Sequence, residues 1–571
     1  MAPEDRFSFR LVGGGQHRGG KQGRGDAFGR CRTRTTGQAA AAIVARAEWA
    51  RSCASGEDWK VIAHRFCREA AALGQLEVLQ WARANGCQWN ERACVEAAKG
   101  GHLEALQWLR AEGCPWNEWA SAYAAGGGHL ETLKWLRAEG CPWDRWACTY
   151  AAGGGHLKVL QWLRARGCPW DAETCAFGAR TGRRDVLQWL RAEGCPWDYR
   201  ASASAARGGH LELLQWLRAK GCLWREWTFT KAAESGRIEV LQWLYASGCP
   251  WDAGACAVAA GTGHLEMLEF LRARGCPWNE WTCAYAAGYG HLGALKWLRA
   301  RGCPWNGEAS AAAAEFGHME VLKWLRAHGC PWNELACACA AASGRLEVLQ
   351  FLRARGCPWS EWACAKAAQS GHLEVLRWLR ANGCPWDARA CHGAAECGNL
   401  KVLKWLRSEG CPWDGEACEL AARYGHLDTL QWLRTNGCAC GSKACMYAAA
   451  GGHLTVLQYL RASGGPWSDM TCTWAAGGGY LEALKWLRAE GCEWDWSTSA
   501  YAAGGGHLEV LQWLVAKGCP CDGRAYACAA KCACSTVLKW LRENGRPWGK
   551  AEALQVEHDA AHDNFLLFTG F

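Results

Sequence analysis

GHLETLKWLRAEGCPWDRWACTYAAGG, from Gly128 to Gly154, is followed without a gap by GHLKVLQWLRARGCPWDAETCAFGART, from Gly155 to Thr181. The two stretches align residue for residue, so the chain repeats itself every 27 positions. Taking the residue after the leading glycine as a marker, the register runs Gln75, His102, His129, His156 and onward to His507 and Cys534, with no insertion or deletion over 18 copies. A chain of 571 residues would otherwise be divided into several globular domains. The repeat also accounts for a composition with 40 Trp, 37 Cys and 69 Gly against 15 Pro.

Within one copy the apolar pattern predicts two helices. Leu130, Thr132, Leu133, Trp135 and Leu136 share one face at a period near 3.6, with Glu131, Lys134 and Arg137 opposite. Gly140 supplies a left-handed end to this first helix. Cys141-Pro142-Trp143 forms a turn, and Asp144 is placed to cap a second helix from Arg145 to Ala152. Gly153 to Gly155 then lead into the next copy. The expected fold is all-α: an α-solenoid of about 18 helix-turn-helix units.

Those residues carry a family likeness. G-H-L-E-V-L-x-W-L-x-x-x-G-C-P-W-D resembles the ankyrin signature G-H-L-E-V-V-x-L-L-L-x-x-G-A-D-V-N over about residues 57 to 548. It is most similar to the short variants in multicopy proteins of brown algae and large DNA viruses. The usual ankyrin repeat is longer, at about 33 residues. The shorter unit here lacks the segment that forms the projecting β-hairpin finger. The T-P-L-H box is likewise replaced, as in Trp146-Ala147-Cys148-Thr149. The resemblance implies a non-catalytic protein-binding scaffold or adaptor that works through an extended repeat surface but not through fingertips.

The expected organisation is a basic, Gly-rich disordered tail over 1–40, a helical cap over 41–74, the repeat array over 75–548 and a C-terminal tail or cap over 549–571. Residues 1–50 hold nine Lys/Arg and four Asp/Glu, so only about +4 of the net +9 falls on the remaining chain. A nearly neutral body gives no argument for nucleic acid or a membrane. The chain has no secretory apolar core and no run of about 18 apolar residues. It is therefore expected inside the cell, in the cytoplasm first, with the nucleus as an alternative.

The residue types that could carry chemistry recur too evenly to form one special site. Eleven of the 18 marker positions are His, in environments that the repeat makes equivalent, whereas catalysis needs one distinctive environment. The expectation is a ring that donates to backbone between adjacent repeats. Arg183, Arg237 and Arg345 fill the same slot and point to a required donor. Sixteen cysteines lie in the Gly-Cys turn and twelve on the second helix. Equivalent cysteines in neighbouring repeats should stand about 8–10 Å apart, too far for disulfides, which need Cα atoms within roughly 7 Å. They read as small core residues. Cys519, Cys521, Cys528, Cys532 and Cys534 are clustered, but at C-x-C and C-x3-C spacing instead of the usual C-x2-C of zinc sites. The helix tryptophans, Trp81 through Trp540, read as core, and the turn tryptophans such as Trp116 and Trp143 as packing between turns. The Glu104, Gln107, Arg110 ridge reads as a solvated face of mixed charge.

What differs between copies is not needed for stacking, and the differences gather on the second helix at offsets 0, 4, 7 and 8, one helical stripe. The stripe holds Arg180; Trp227, Lys231 and Glu234; Trp281, Tyr285 and Tyr289; Glu308, Glu315 and Phe316; Trp362, Lys366 and Gln369; and Glu416, Arg423 and Tyr424. An unselected surface would also vary, but it rarely leaves several Trp and Tyr in water. Copies near Gly126, Gly153 and Gly504 end in glycine, which places the expected partner-binding region between Arg180 and Tyr424. The expected partner is a protein or an extended peptide, bound by a monomeric chain without a cofactor, a catalytic residue or a metal, and without a membrane. Two alternatives compete with this reading: a thiol- or metal-handling protein, and a nucleic-acid binder acting through the basic tail and ridges.

Solenoid stability is a sum of repeat and nearest-neighbour terms. Deleting residues 264–290, one whole copy, should therefore leave a cooperatively folded, shorter array by circular dichroism and denaturant melting. Deleting only the first half of that copy should unfold it, and equal damage from both deletions would overturn the one-dimensional picture.

Overall fold

The computed structural model describes residues 66–544, apart from 442, 466–469 and 533. The expected tail at 1–40, the first part of the cap and the segment 549–571 lie outside the described residues. Of the expected cap, residues 66–72 are helical. From there 35 helices follow between Leu76 and Asn544, and no strand occurs among the described residues. The fold is the expected helical-repeat solenoid. The chain divides into two compact units, Met1–Ala201 and Ser202–Phe571.

The copy beginning at Gly128 shows how sequence sets the local structure. The first helix runs Leu130–Ala138, and Gly140 follows with φ 77°, the left-handed conformation expected of it. Asp144 accepts a hydrogen bond from the Trp146 amide at 2.9 Å and caps the second helix. That helix runs Arg145–Gly154, two residues beyond the expected end, because Gly155 and not Gly153 takes the left-handed turn, with φ 77°.

Leu133 and Leu136 of the first helix, and Ala147, Cys148, Ala151 and Ala152 of the second, are fully buried. Each buried leucine removes enough apolar area from water to contribute about 2 kcal/mol. The second helices of consecutive repeats pack directly on each other, an approach that their small residues permit.

The marker histidines join repeats. His129 Nε2 donates to the Lys99 carbonyl at 3.1 Å, and His102, His156, His426 and His453 do the same 30 residues back, at 2.9–3.1 Å. The ring needs a glycine seat. A Cβ on Gly101, where φ is 73°, would stand 2.4 Å from His129, and one on Gly127 would stand 2.5 Å from the ring and 3.0 Å from the Lys99 oxygen. Two replacements keep the bond: Asn399 donates to the Gln369 carbonyl at 2.8 Å, and Cys534 reaches the Gly504 carbonyl at 3.6 Å. A donor to that carbonyl is the common property of these three residue types.

Three readings of the aromatic and charged residues change. The first-helix tryptophans, such as Trp81, Trp108 and Trp135, are half-buried and not core; Trp108 and Trp135 lie at the rim, where the turn of the preceding copy covers only part of the ring. The turn tryptophans pack edge-on against the first-helix tryptophan of the following copy, not against another turn: Trp116 meets Trp135 at 5.8 Å and Trp143 meets Trp162 at 5.8 Å. The arginine of the outward ridge lies over them, Arg110 at 4.2 Å from Trp116 and Arg137 at 4.2 Å from Trp143. The ridge arginine is thus a cation–π partner and not simply a solvated charge.

Burial, the largest cause, depresses the pKa of His156, His318 and His453, although the carbonyl each ring meets acts the other way. A depressed histidine pKa means that the unfolded chain binds the proton more readily. The stabilisation is then complete above the unfolded value of about 6.5 and is lost as pH falls below it. NMR titration of these imidazoles should give midpoints below about 6.5, with the urea midpoint falling between pH 7.5 and 5.5; histidine midpoints at or above 6.5 would contradict the burial argument.

Candidate binding face on the second helices

Because Ala147, Cys148, Ala151 and Ala152 point between repeats, Trp146 and Tyr150, and the positions equivalent to them in other copies, are left on the outer side of the second helix. The variable stripe lies there. Five of its aromatic residues stay well exposed: Trp227 at 48%, Tyr289 at 48%, Phe316 at 38%, Trp362 at 45% and Tyr424 at 43%. Trp281 and Tyr285 are half-buried.

In the unit Ser202–Phe571, many polar stripe residues already have partners. Lys231 is buried, forms an ion pair with Glu234, and sets its ammonium 4.3 Å from the Trp227 ring. Glu234 also meets Arg207 at 2.9 Å. Lys366 donates to Gln369 at 2.9 Å, and Gln369 donates to Glu396 at 3.0 Å. Arg389, outside the expected set, covers Trp362 at 4.7 Å while reaching Asp387 at 2.7 Å and Glu361 at 2.6 Å. Arg423 stands between Tyr424 and Tyr447, 5.7 and 5.8 Å from their rings.

One group is mainly aromatic. Tyr289 stacks on Phe316 with ring centres 6.3 Å apart and planes 13° from parallel, and Tyr285 adjoins Tyr289 at 6.2 Å. Gly261 makes this possible, since a Cβ there would come within 3.1–3.2 Å of both tyrosines. Glu315 lies half-buried in the same copy as Phe316, and burial raises its pKa. Glu308 sits at the start of that helix, its amide bonded to the Asn306 cap at 3.0 Å.

The unit Met1–Ala201 holds an aromatic group that variation between copies does not reveal. Trp119 stacks on Trp146 at 6.1 Å and 28°, Tyr123 meets Tyr150 at 5.2 Å, and Tyr150 meets Phe177 at 5.9 Å. All five rings are half-exposed. The glycines that suggested empty copies are the floor of this ladder: a Cβ on Gly126 would stand 3.0 Å from Tyr150, and one on Gly153 would stand 3.3 Å from Phe177. The available signal was aromatic residues at stripe offsets 0 and 4 in those copies. Lys99, Arg145 and Arg180 lie 5.5, 5.3 and 5.0 Å from Tyr123, Trp146 and Phe177.

Glu416 belongs to a group of possible ligands. His392 Nε2 is 2.7 Å from Asp414 and Nδ1 is 3.6 Å from Glu416, with all three donor atoms within 4.8 Å of one another. Asp414 is already occupied as a helix cap, accepting from the Glu416 amide at 3.0 Å. The clustered cysteines are dispersed in their contacts: Cys519 is buried and bonded to the Asp495 carbonyl at 3.4 Å, whereas Cys532 is exposed.

The family model described as ankyrin repeats (many copies) matches residues 120–164, 310–353 and 362–407. No curated protein matches the chain. Among solved structures it is similar to the pentatricopeptide repeat protein PPR10 from maize, at 14% identity over 92% of this chain and 93% of that one, with a TM-score of 0.25. The same protein in complex with an 18-nt psaJ RNA element matches at 14% identity over 91% and 93%, with a TM-score of 0.27. The human ASB11 ankyrin repeat domain matches at 21% identity over 32% of this chain and 98% of that one, with a TM-score of 0.26. No helix among the described residues is long and apolar enough to cross a membrane. The 27-residue unit runs through all three stretches that match the ankyrin-repeat model.

Proposed function

We propose that the chain is a non-catalytic scaffold that binds a protein or an extended peptide on the outward stripe of its second helices. The observation that carries this reading is the set of aromatic side chains left 38–48% exposed on that stripe: Trp227, Tyr289, Phe316, Trp362 and Tyr424. Rigid aromatic rings bury large areas at small entropic cost and are the usual anchors of protein interfaces. Their polar neighbours are held in place by one another, as Lys231 is by Glu234 and Arg389 by Glu361, so less side-chain freedom is lost on binding. The charges on the stripe are of both signs and largely paired, which favours a protein surface over a phosphate backbone.

Full-length protein should capture a partner that is lost when Tyr289, Phe316 and Trp362 are all replaced by Ala, each anchor contributing about 2 kcal/mol. Helicity and melting temperature should stay nearly unchanged. The control is Glu320→Ala with Lys323→Ala, an exposed ion pair on the outward ridge that should leave capture intact. Arg326 is kept, because it lies over Trp332 at 4.8 Å and bonds the Arg355 carbonyl at 3.1 Å. Loss of capture in the ridge variant alone moves the site to the other face. A captured RNA released steeply by salt would replace the protein reading with a nucleic-acid one.

A further inference from the structure

The second-helix cysteines pair with the cysteines of the following turn. Cys94 with Cys114, Cys148 with Cys168 and Cys391 with Cys411 each make a thiol–thiol contact, closed from solvent in the repeat core. Two turns carry a cysteine in place of the tryptophan, at Cys440 and Cys521; Cys521 faces Ser499 on the preceding second helix, whereas the copy with Cys440 faces a second-helix cysteine, Cys418. Its turn, 437–441, reads Gly-Cys-Ala-Cys-Gly where the preceding turn, 410–414, reads Gly-Cys-Pro-Trp-Asp, so Cys440 stands in the tryptophan slot. In the next turn Gly465 stands where the cysteine belongs, and it leaves Cys445 without its periodic thiol; a Cβ there would lie 3.5 Å from Cys445 Sγ.

The missing indole and thiol open a cavity of about 320 Å³, lined by Arg434, Cys438, Cys440, Cys445 and Gly465 among others. The Cys418 thiol lies 3.9 Å from the Cys438 carbonyl and contacts the Cys438 and Cys440 thiols, and the start of its helix is close against the same turn, where a Cβ on Gly415 would stand 2.8 Å from the Ala439 carbonyl. Cys438 is buried and donates to the Asp414 carbonyl at 3.1 Å. Cys440 is only partly covered.

We propose that Cys440 is the peroxide-reactive thiol among the described cysteines and that it closes a disulfide with Cys418, fastening the second helix Gly415–Arg423 to the following turn. An accessible thiol beside a resolving thiol is the arrangement that oxidation requires. The hydrogen bond from Cys418, then the Arg434 cation, favour the Cys440 thiolate and lower its pKa against the opposing effect of burial. In the first step the thiolate attacks hydrogen peroxide; the S–O bond forms, the O–O bond breaks, and the departing hydroxide takes up a proton to become water. In the second, Cys418 sulfur attacks the sulfenic acid; the S–S bond forms, the S–O bond breaks, and the hydroxide leaves as water with the Cys418 proton. Two thiols lose two electrons, and one peroxide becomes two waters. Cys397 is exposed, but partial burial and Glu396 raise its pKa and keep it a thiol.

The test is graded hydrogen peroxide on the full native chain, blocking with N-ethylmaleimide and non-reducing peptide mapping. The first cross-link should join the peptide containing Cys418 to the peptide 435–443. It should vanish in Cys440→Ser and in Cys440→Trp, which restores the periodic residue and keeps the fold, and it should persist in Cys438→Ser. A cross-link that survives both Cys440 variants overturns the proposal. So does oxidation confined to other cysteines, such as Cys397 or Cys532, with 435–443 unmodified.

Discussion

Everything in this protein depends on how closely one second helix can approach the next. Ala147, Cys148, Ala151 and Ala152, each without exposed surface, occupy the space between consecutive second helices. A larger side chain there would force the helices apart and strain the close-packed interior. Small residues therefore fix the spacing, and the spacing decides what the outward positions can do. Rings at the same offset in successive copies come within stacking distance, as Trp119 and Trp146 do at 6.1 Å and Tyr289 and Phe316 do at 6.3 Å. The aromatic face is a consequence of the core.

The same spacing explains the histidine and glycine pattern. A carbonyl at the end of one second helix has no partner within its own helix where the chain turns. His129 supplies the donor, and glycine at 101 and 127 clears the volume its ring fills. Asn399 and Cys534 serve the same carbonyl with shorter side chains. The slot is thus defined by hydrogen-bond donation and not by imidazole chemistry, which is why eleven histidines in one register need no catalytic explanation.

Local chemistry was readable in the sequence, and cross-repeat chemistry was readable only in part. The period, the Asp144 cap, the Gly140 turn and the histidine donor each follow from residues close in the chain or from identity between copies. What a single copy cannot reveal is which side chain of its neighbour fills a given volume. Lys231 reads as a surface charge on a helix wheel, yet it is 7% exposed because Glu234 and Trp227 enclose it. Arg110 reads as solvated, yet it lies on Trp116, past the turn that follows its helix. Gly126 and Gly153 read as blank positions, although they are blank only in their own side chains; Tyr150 and Phe177 from the next copies occupy the room they leave.

The cysteines show the limit of arguing from equivalent positions alone. Neighbouring equivalents are a helix spacing apart, which excludes a ladder of like with like. The contacts that form are between unlike positions, from a second helix to the turn of the next copy. For Cys94 and Cys148 the hydrogen bond with the partner thiol, and then burial, push the thiol toward the neutral form, so they behave as small apolar residues. Their inertness is then a property of their enclosure as much as of the sulfur. Where the indole gives way to Cys440, the sulfur-rich core borders a cavity of about 320 Å³, and the chemistry proposed for that thiol comes from a substitution in the turn and not from the core itself.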